Sequence, residues 1–245
     1  MKLSFGLTDI GLTRPTNQDC FECGQISDGM AFGILCDGLG GENGGEIASQ
    51  TAVQFTADML KRELKEDMSE LSLRSVLSSA IAGANAIIFD KASKDESLAG
   101  MSTTMLIAVH MGGLLYVASV GDSRVYIVGP EQRRQLTKDH TVVQMLVDIG
   151  EISEEDAKVH PKRHYVTRAV GASGKVEADF FVESLGQGEI ALLCSDGLYP
   201  YMDPGITYDL LRKCVSEISA KPLIDYALQS GTTDNITAVV MANAI

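Results

Sequence analysis

Two long segments of helical periodicity follow one another with no strand-like run between them, at residues 45–65 and 72–92. The first brings Ile47, Thr51, Phe55, Met59 and Leu64 near one face. The second repeats Leu73, Val76, Leu77, Ala80, Ile81, Ala84, Ile87 and Ile88 at three- and four-residue intervals. Such stripes predict two amphipathic helices laid against a sheet. Short apolar, β-branched or aromatic runs flank the pair: 3–9, 20–26 and 31–36 before it, and 103–110, 114–120, 124–128, 177–183, 189–194 and 235–241 after it. Gly112–Gly113 between two of these runs predicts a hairpin turn. Shorter helices are expected at 141–149, 153–158, 205–217 and 221–230, and Ser153 stands at capping distance from Asp156. Adjacent helices and direct hairpins exclude a regular βαβ alternation. They point to the α+β class, with antiparallel sheets and helices packed outside.

A chain of 245 residues holds one large domain or two small ones. No linker, repeat or low-complexity tract divides it, and the polar stretches 61–72 and 129–140 are short enough to be connections. A single domain over 1–245 is the expectation. Apolar runs stay under about ten residues against the ~20 that span a bilayer, and the first residues carry no secretory pattern. Five cysteines, an odd number, suit a reducing compartment, so the cytoplasm is expected. The formal charge of −13 repels nucleic acid and anionic membranes, and neither is an expected partner. It also repels phosphate substrates unless bound cations reverse the field locally. On composition alone, an acidic surface for solubility is the simpler reading.

Five aspartates stand at the ends of the strand-like runs. Asp37 closes AFGILC and opens DGLGG, Asp122 closes LLYVASVG, and Asp196 closes EIALLCS; Asp234 precedes ITAVVM and Asp19 precedes CFECGQI. Singly, each reads as turn chemistry. If the strand ends meet at one edge of a sandwich, the carboxylates converge, and that is tolerable only with cations or protons between them. Mg²⁺ and Mn²⁺, hard ions with oxygen ligands, meet that need. The glycines after Asp37 let a backbone carbonyl approach an ion. Two such ions can share a water, turn it into hydroxide near neutral pH and support in-line attack on a phosphoryl group without a covalent enzyme intermediate. Arg14, five residues before Asp19, has the fork to grip phosphate oxygens, although out of context it reads as a surface arginine.

RPTNQD at 14–19, DGLGG at 37–41, GGEIAS at 44–49, MSTT at 101–104, SVGDSRVY at 119–126, LTKDHT at 136–141, TRAVG at 167–171, CSDGLY at 194–199 and TTDNIT at 232–237 occur in this order. Together they resemble the metal-dependent protein phosphatases, the PPM or type 2C class, in its compact bacterial branch. Each motif is weak alone; the ordered set, spanning about residues 3–242, is specific. The resemblance implies a four-layer α-β-β-α sandwich, two packed antiparallel sheets flanked by helix pairs, with a binuclear Mn²⁺ or Mg²⁺ centre at one end. It implies that Asp37 bridges the two ions, that the Gly38 carbonyl binds one of them, and that Asp196 and Asp234 complete the other. Asp19 would support metal-bound water, Asp122 with Asp196 would hold a third, weaker ion, and Arg14 would bind the substrate phosphate. Residues about 141–170 would form a flap beside the site. The implied substrates are phosphoserine and phosphothreonine proteins, with a cognate Ser/Thr kinase and its targets as partners and a monomer as the working form. One departure stands out: many bacterial members carry His directly after the glycine pair, where this chain has Glu42. A glutamate donates a proton to a leaving alkoxide only if its pKa is raised, and metal-bound water is the alternative acid. A phosphopeptide-binding relative without turnover and a hydrolase of small phosphate esters remain as other readings.

Other signals carry less. Cys20 and Cys23 form one CxxC with no second pair, a poor zinc motif, and an offset of three on a strand points them to opposite faces. Alternation turns the thiols of Cys36 and Cys194 away from the aspartates that follow them. No cysteine has an arginine six positions on, as a cysteine-based phosphatase needs. Asp-x-Asp and the P-loop pattern are absent. His140 reads as a hydrogen-bonded structural histidine. His160 and His164 flank Pro161–Arg163 in a basic cluster that reads as a solvated loop or as an attractor of acidic phosphopeptides.

Overall fold

The computed structural model describes residues 2–243, with residues 41–43 described by their backbone alone. The chain runs β1 (Lys2–Asp9), β2 (Asp19–Ser27), β3 (Met30–Leu39), α1 (Gly41–Glu63), α2 (Glu70–Lys94), β4 (Ser102–Thr103), β5 (Met105–Met111), β6 (Leu114–Val120), β7 (Arg124–Val128) and β8 (Arg133–Gln135). It continues with α3 (Val142–Asp148), α4 (Glu154–Val159), β9 (Asp179–Ser184), β10 (Ile190–Cys194), α5 (Pro204–Glu217), α6 (Lys221–Gln229) and β11 (Ile236–Asn243). One antiparallel sheet has the order β1-β11-β10-β7-β8. The other has the order β2-β3-β5-β6-β9, with β4 on β3. Gly112 and Gly113, both at positive φ, make the β5–β6 hairpin turn.

Strand alternation sorts the apolar side chains into three layers. Met30, Phe32, Ile34 and Cys36 of β3 face α1 and α2, whereas Ala31 and Leu35 face the other sheet. On β10, Ile190, Leu192 and Cys194 face α5 and α6, whereas Ala191 and Leu193 face inward. The order is helix pair, sheet, sheet, helix pair, the four layers expected. Cys20 packs on the helix side and Cys23 between the sheets. The Ser153–Asp156 capping box opens α4.

Four details differ from expectation. The polar stretch 129–140 contains an edge strand, β8, and β4 is a two-residue pairing; both are too short and polar to announce themselves. Helix α1 begins at Gly41, four residues early, because glycines let its first turn pack on the end of β3: a Cβ on Gly38 would lie 2.1 Å from the Gly45 carbonyl oxygen. Its most buried face is Ala48, Ala52, Thr56 and Leu60, not the larger Ile47, Phe55 and Met59. Small side chains bring the helix axis close to the sheet, while Phe55 lies at the flank over Gly83 of α2. Finally, α2 is long and apolar enough to cross a membrane by length and composition, yet its Leu73, Leu77, Ala80, Ile81, Ala84 and Ile88 stripe is buried in the helix–sheet layer.

One buried polar side chain ties α2 to the end of the 141–170 segment. Asn85 Oδ1 accepts from the Gly171 amide at 2.7 Å, and its Nδ2 donates to the Ser173 carbonyl at 3.0 Å. Asn85→Ala leaves the buried Gly171 amide unpaired and releases the Ser173 carbonyl. A loss of about 2 kcal/mol follows, which lowers Tm by roughly 4–8 °C in a chain this size. Thermal unfolding followed by circular dichroism measures it; an unchanged Tm contradicts the assignment.

Candidate metal centre

The alternation that builds the layers also places the acidic residues. Asp37 follows Cys36 on β3 and therefore turns toward the inter-sheet side. Asp19, the first residue of β2, pairs directly with Asp37 in the antiparallel register. On the opposite sheet Ser195 follows Cys194, and Thr237 lies between Ile236 and Ala238 of β11, so both hydroxyls face inward at the same end. Each donates to Asp19 Oδ2 at 2.7 Å. Asp19 is buried. Burial pushes its pKa up to about 7, with Asp196 and Asp234 adding to the rise against the two hydroxyls. Asp37 is raised well above the usual carboxylate range by lost hydration, then by Asp19, Asp196, Asp122 and Asp234. All five aspartates thus share one field.

Arg14 is delivered from the loop before β2. Asn235 staples that loop: its Nδ2 donates to the carbonyls of Ile10 and Thr16 at 2.8 and 3.0 Å, and its Oδ1 accepts from the Gln18 amide. Gly11, at φ +78°, passes so close to Asp234 that a Cβ would lie 2.0 Å from the Asp234 carbonyl oxygen. The result sets Arg14 Nη2 2.7 Å from Asp234 Oδ2, with half of the arginine side chain exposed. That hydrogen bond holds the guanidinium more firmly charged, with the fields of Asp234, Asp196 and Asp37 behind it.

Asp122 lies in the β6–β7 turn, buried, its pKa pushed up to about 7 by burial and then by Asp196 and Asp139. A polar frame holds this turn. His140 Nδ1 accepts from the Gly121 amide at 2.9 Å, while its Nε2 lies 3.2 Å from Asp179, which also takes Arg168 at 2.7 Å. Nδ1 as acceptor fixes the proton on Nε2, so His140 is a neutral structural histidine, and burial lowers its pKa. Arg124 makes a two-pronged pair with Asp139 and stacks 3.8 Å over the Tyr199 ring. Thr104 and Ser123 share a hydroxyl contact at 2.8 Å, and Thr104 Oγ1 also accepts from the Asp37 amide.

The structure brings Asp19, Asp37, Asp122, Asp196, Asp234 and Arg14 to one end of the sandwich, with Gly38 beside them. The Glu42 side chain lies outside the described residues. Sequence reasoning did not single out Ser195, Thr237 and Asn235. Alternation from Cys194 and Ile236 signals the first two, and the Asp-Asn step of TTDNIT signals the third. His164 was read only as part of a basic cluster, yet its Nδ1 comes to 3.8 Å from Asp196 Oδ2.

Among the described residues, no three His, Cys, Asp or Glu side chains stand close enough to enclose an ion by themselves. The donors are hard oxygens, and burial together with the neighbouring carboxylates raises the pKa of Asp37, a penalty that cations would relieve.

A sandwich end with clustered carboxylates and the Arg14 guanidinium beside them has the chemistry of a metal-dependent phosphohydrolase. The family model for protein phosphatase 2C matches residues 14–233, and the chain belongs to that family of metal-dependent protein phosphatases, which work with Mn²⁺ or Mg²⁺. It is 35% identical over 236 residues to the serine/threonine phosphatase stp of Listeria innocua, covering 96% of this chain and 93% of that one. Its fold matches the S. agalactiae serine/threonine phosphatase with a TM-score of 0.89 at 32% identity, over 98% and 99% of the two chains. It also matches the catalytic domain of the serine/threonine protein phosphatase PstP in complex with two manganese ions, with a TM-score of 0.83 at 33% identity, over 98% and 97%.

Protons and cations compete for these carboxylates. With pKa values near 7, Asp19 and Asp122 are largely protonated in the metal-free fold at pH 5.5 and ionised above pH 7. In the unfolded chain they ionise near 4. Their contribution to metal-free stability is therefore full below about pH 4 and is lost as pH rises through 7. The buried His110, lowered to about 4, contributes in the opposite direction, so the readout is the difference made by Mn²⁺. The Mn²⁺-induced rise in Tm should be several-fold larger at pH 7.5 than at pH 5.5. A rise independent of pH contradicts this site.

Proposed function

We propose that this chain is a serine/threonine phosphoprotein phosphatase in which Asp37, the Gly38 carbonyl, Asp196 and Asp234 would hold two ions. Convergence of five aspartates from separate strand ends is the observation that carries this reading. Asp122, together with Asp196, is assigned to a third, weaker site. Bound Mn²⁺ or Mg²⁺ supplies a nucleophile from water near neutral pH and neutralises phosphate oxygens.

The protein's own groups do the remaining work. Arg14 exchanges its bond to Asp234 for the phosphate oxygens, presenting two parallel donors that orient the phosphoryl group for in-line attack. Asp19, held at its Oδ2 by Ser195 and Thr237, keeps its second oxygen for a water proton. The buried hydroxyl and amide network around Asp37 fixes geometry before substrate arrives. Glu42 is proposed as the group near the leaving oxygen.

The names of the relatives support phosphoserine and phosphothreonine proteins as substrates. We assign the chain to one catalytic domain over 1–245 with residues 141–170 as its flap, to a monomer opposed by a cognate Ser/Thr kinase, and to the cytoplasm. The five free cysteines are in keeping with that last assignment.

Purified protein should release phosphate from p-nitrophenyl phosphate and from a phosphothreonine peptide only with Mn²⁺ or Mg²⁺. Asp37→Ala or Asp234→Ala should lower kcat by about 10³ or more. Arg14→Ala should lower kcat/KM by roughly 10- to 100-fold. Full activity in excess chelator or in Asp37→Ala refutes the assignment.

A further inference from the structure

A cleft of about 770 Å³ reaches the aspartate cluster at Asp196, with His164 also in its lining. It runs away from the cluster between β7 and β8 on one wall and α3 and α4 on the other, with Tyr199 and Met202 beneath. This is far more room than one phosphate needs, and it falls in the upper part of the range for ligand pockets. Its charge is opposite to that of the molecule. The chain carries −13 overall, yet five cations and three carboxylates line the cleft.

Two of those cations are already occupied: Arg124 by Asp139, and Lys138 by Asp148. Arg133, Lys158 and Arg163 have no carboxylate partner among the described residues. They come from three elements, β8, α4 and the segment after it, and so surround the cleft. Arg133 is anchored: its Nη1 donates to the Met202 carbonyl at 3.1 Å, and its guanidinium lies 5.0 Å from the Tyr126 ring centroid. A guanidinium held by a carbonyl and a ring keeps its outer N–H groups directed at a ligand with little entropy left to lose. Lys158 is exposed on α4 and supplies a mobile charge opposite. Val143 and Val147 line the same wall and would cover the stems of bound side chains.

We propose that this cleft binds the polypeptide beside the phosphorylated residue and selects substrates carrying aspartate or glutamate there. The inference rests on the phosphatase reading of the aspartate cluster and names the substrate class of that site. Glu154 on the rim is the one lining carboxylate that is neither paired with Arg124 nor part of the aspartate cluster. It gives the cleft a means of rejecting misplaced acidic side chains.

The test compares three phosphothreonine peptides of equal length: one with two Asp on the N-terminal side, one with two Asp on the C-terminal side, and one with Asn at all four places. Each is assayed with Mn²⁺ at low salt, with p-nitrophenyl phosphate in parallel. One acidic peptide should exceed the neutral one about tenfold in kcat/KM, and added salt should erode the advantage. Arg133→Gln with Lys158→Gln should reduce the advantage to threefold or less while leaving p-nitrophenyl phosphate turnover unchanged. Lys158→Gln alone, on an exposed helix face, should remove part of it. Equal kcat/KM for all three peptides, or an advantage that survives the double substitution, overturns the proposal. Absence of p-nitrophenyl phosphate turnover with Mn²⁺ overturns the phosphatase reading itself and this inference with it.

Discussion

Asp19 and Asp37 lie directly opposite one another on neighbouring antiparallel strands and turn to the same face. Like charges at such a position oppose pairing of the strands. Three further aspartates raise the same field, and burial raises it again. A sheet end of this kind persists because the rest of the fold over-determines it. Each strand that carries an acidic residue continues into a layer of buried side chains whose alternation cannot slip by one residue without turning the whole apolar set to the wrong side. The register that protects the core therefore also locks the carboxylates in opposition.

The groups around the carboxylates extend this logic. Ser195 and Thr237 face inward because their neighbours Cys194, Ile236 and Ala238 face the outer helices. Their hydroxyls satisfy one oxygen of the buried Asp19. Asn235 does for the loops what the register does for the strands, tying residues 10–18 to the start of β11 through three hydrogen bonds. Positions more than 200 residues apart in the chain, Arg14 and Asp234, meet at 2.7 Å as a result. Placing the charges on strand ends and a stapled loop gives the fixed geometry that stabilisation of a developing charge requires.

Legibility in the sequence followed the range of the forces involved. The strands and helices with a clear period of two or 3.6, and the aspartates at strand ends, could be read because alternation and turn chemistry are local. The meeting of those aspartates came from the family resemblance and from the order of elements, since no local pattern states which strand ends are neighbours. Strand β8 stayed hidden because Arg-Arg-Gln has no strand signature; it forms only as the edge partner of β7. The first turn of α1 stayed hidden because glycines usually mark turns, while here they permit backbone to touch backbone at Gly38 and Gly45. On α1 the large Ile47, Phe55 and Met59 pack at the flank of the core, while the deepest positions go to Ala48 and Ala52, because close helix–sheet approach favours alanine. The approach of His164 to Asp196 depends on the path of the 141–170 segment, and the Arg124–Asp139 pair on the path of the chain after β8; no spacing encodes either.

An acidic chain that handles anionic substrates is not a contradiction once distance is considered. At physiological ionic strength a charge is felt over about 8 Å, so the −13 of the whole molecule is irrelevant inside a cleft whose own walls are basic. The cations open to an anion there are Arg14 at the aspartate cluster and Arg133, Lys158 and Arg163 along the cleft. The surrounding acidic surface then acts as a filter: it disfavours adsorption of an anionic partner anywhere else on the molecule. The same aspartates that make the centre hungry for cations would repel phosphate if left bare. Metal held there would thereby raise affinity for an anionic substrate through one shared field.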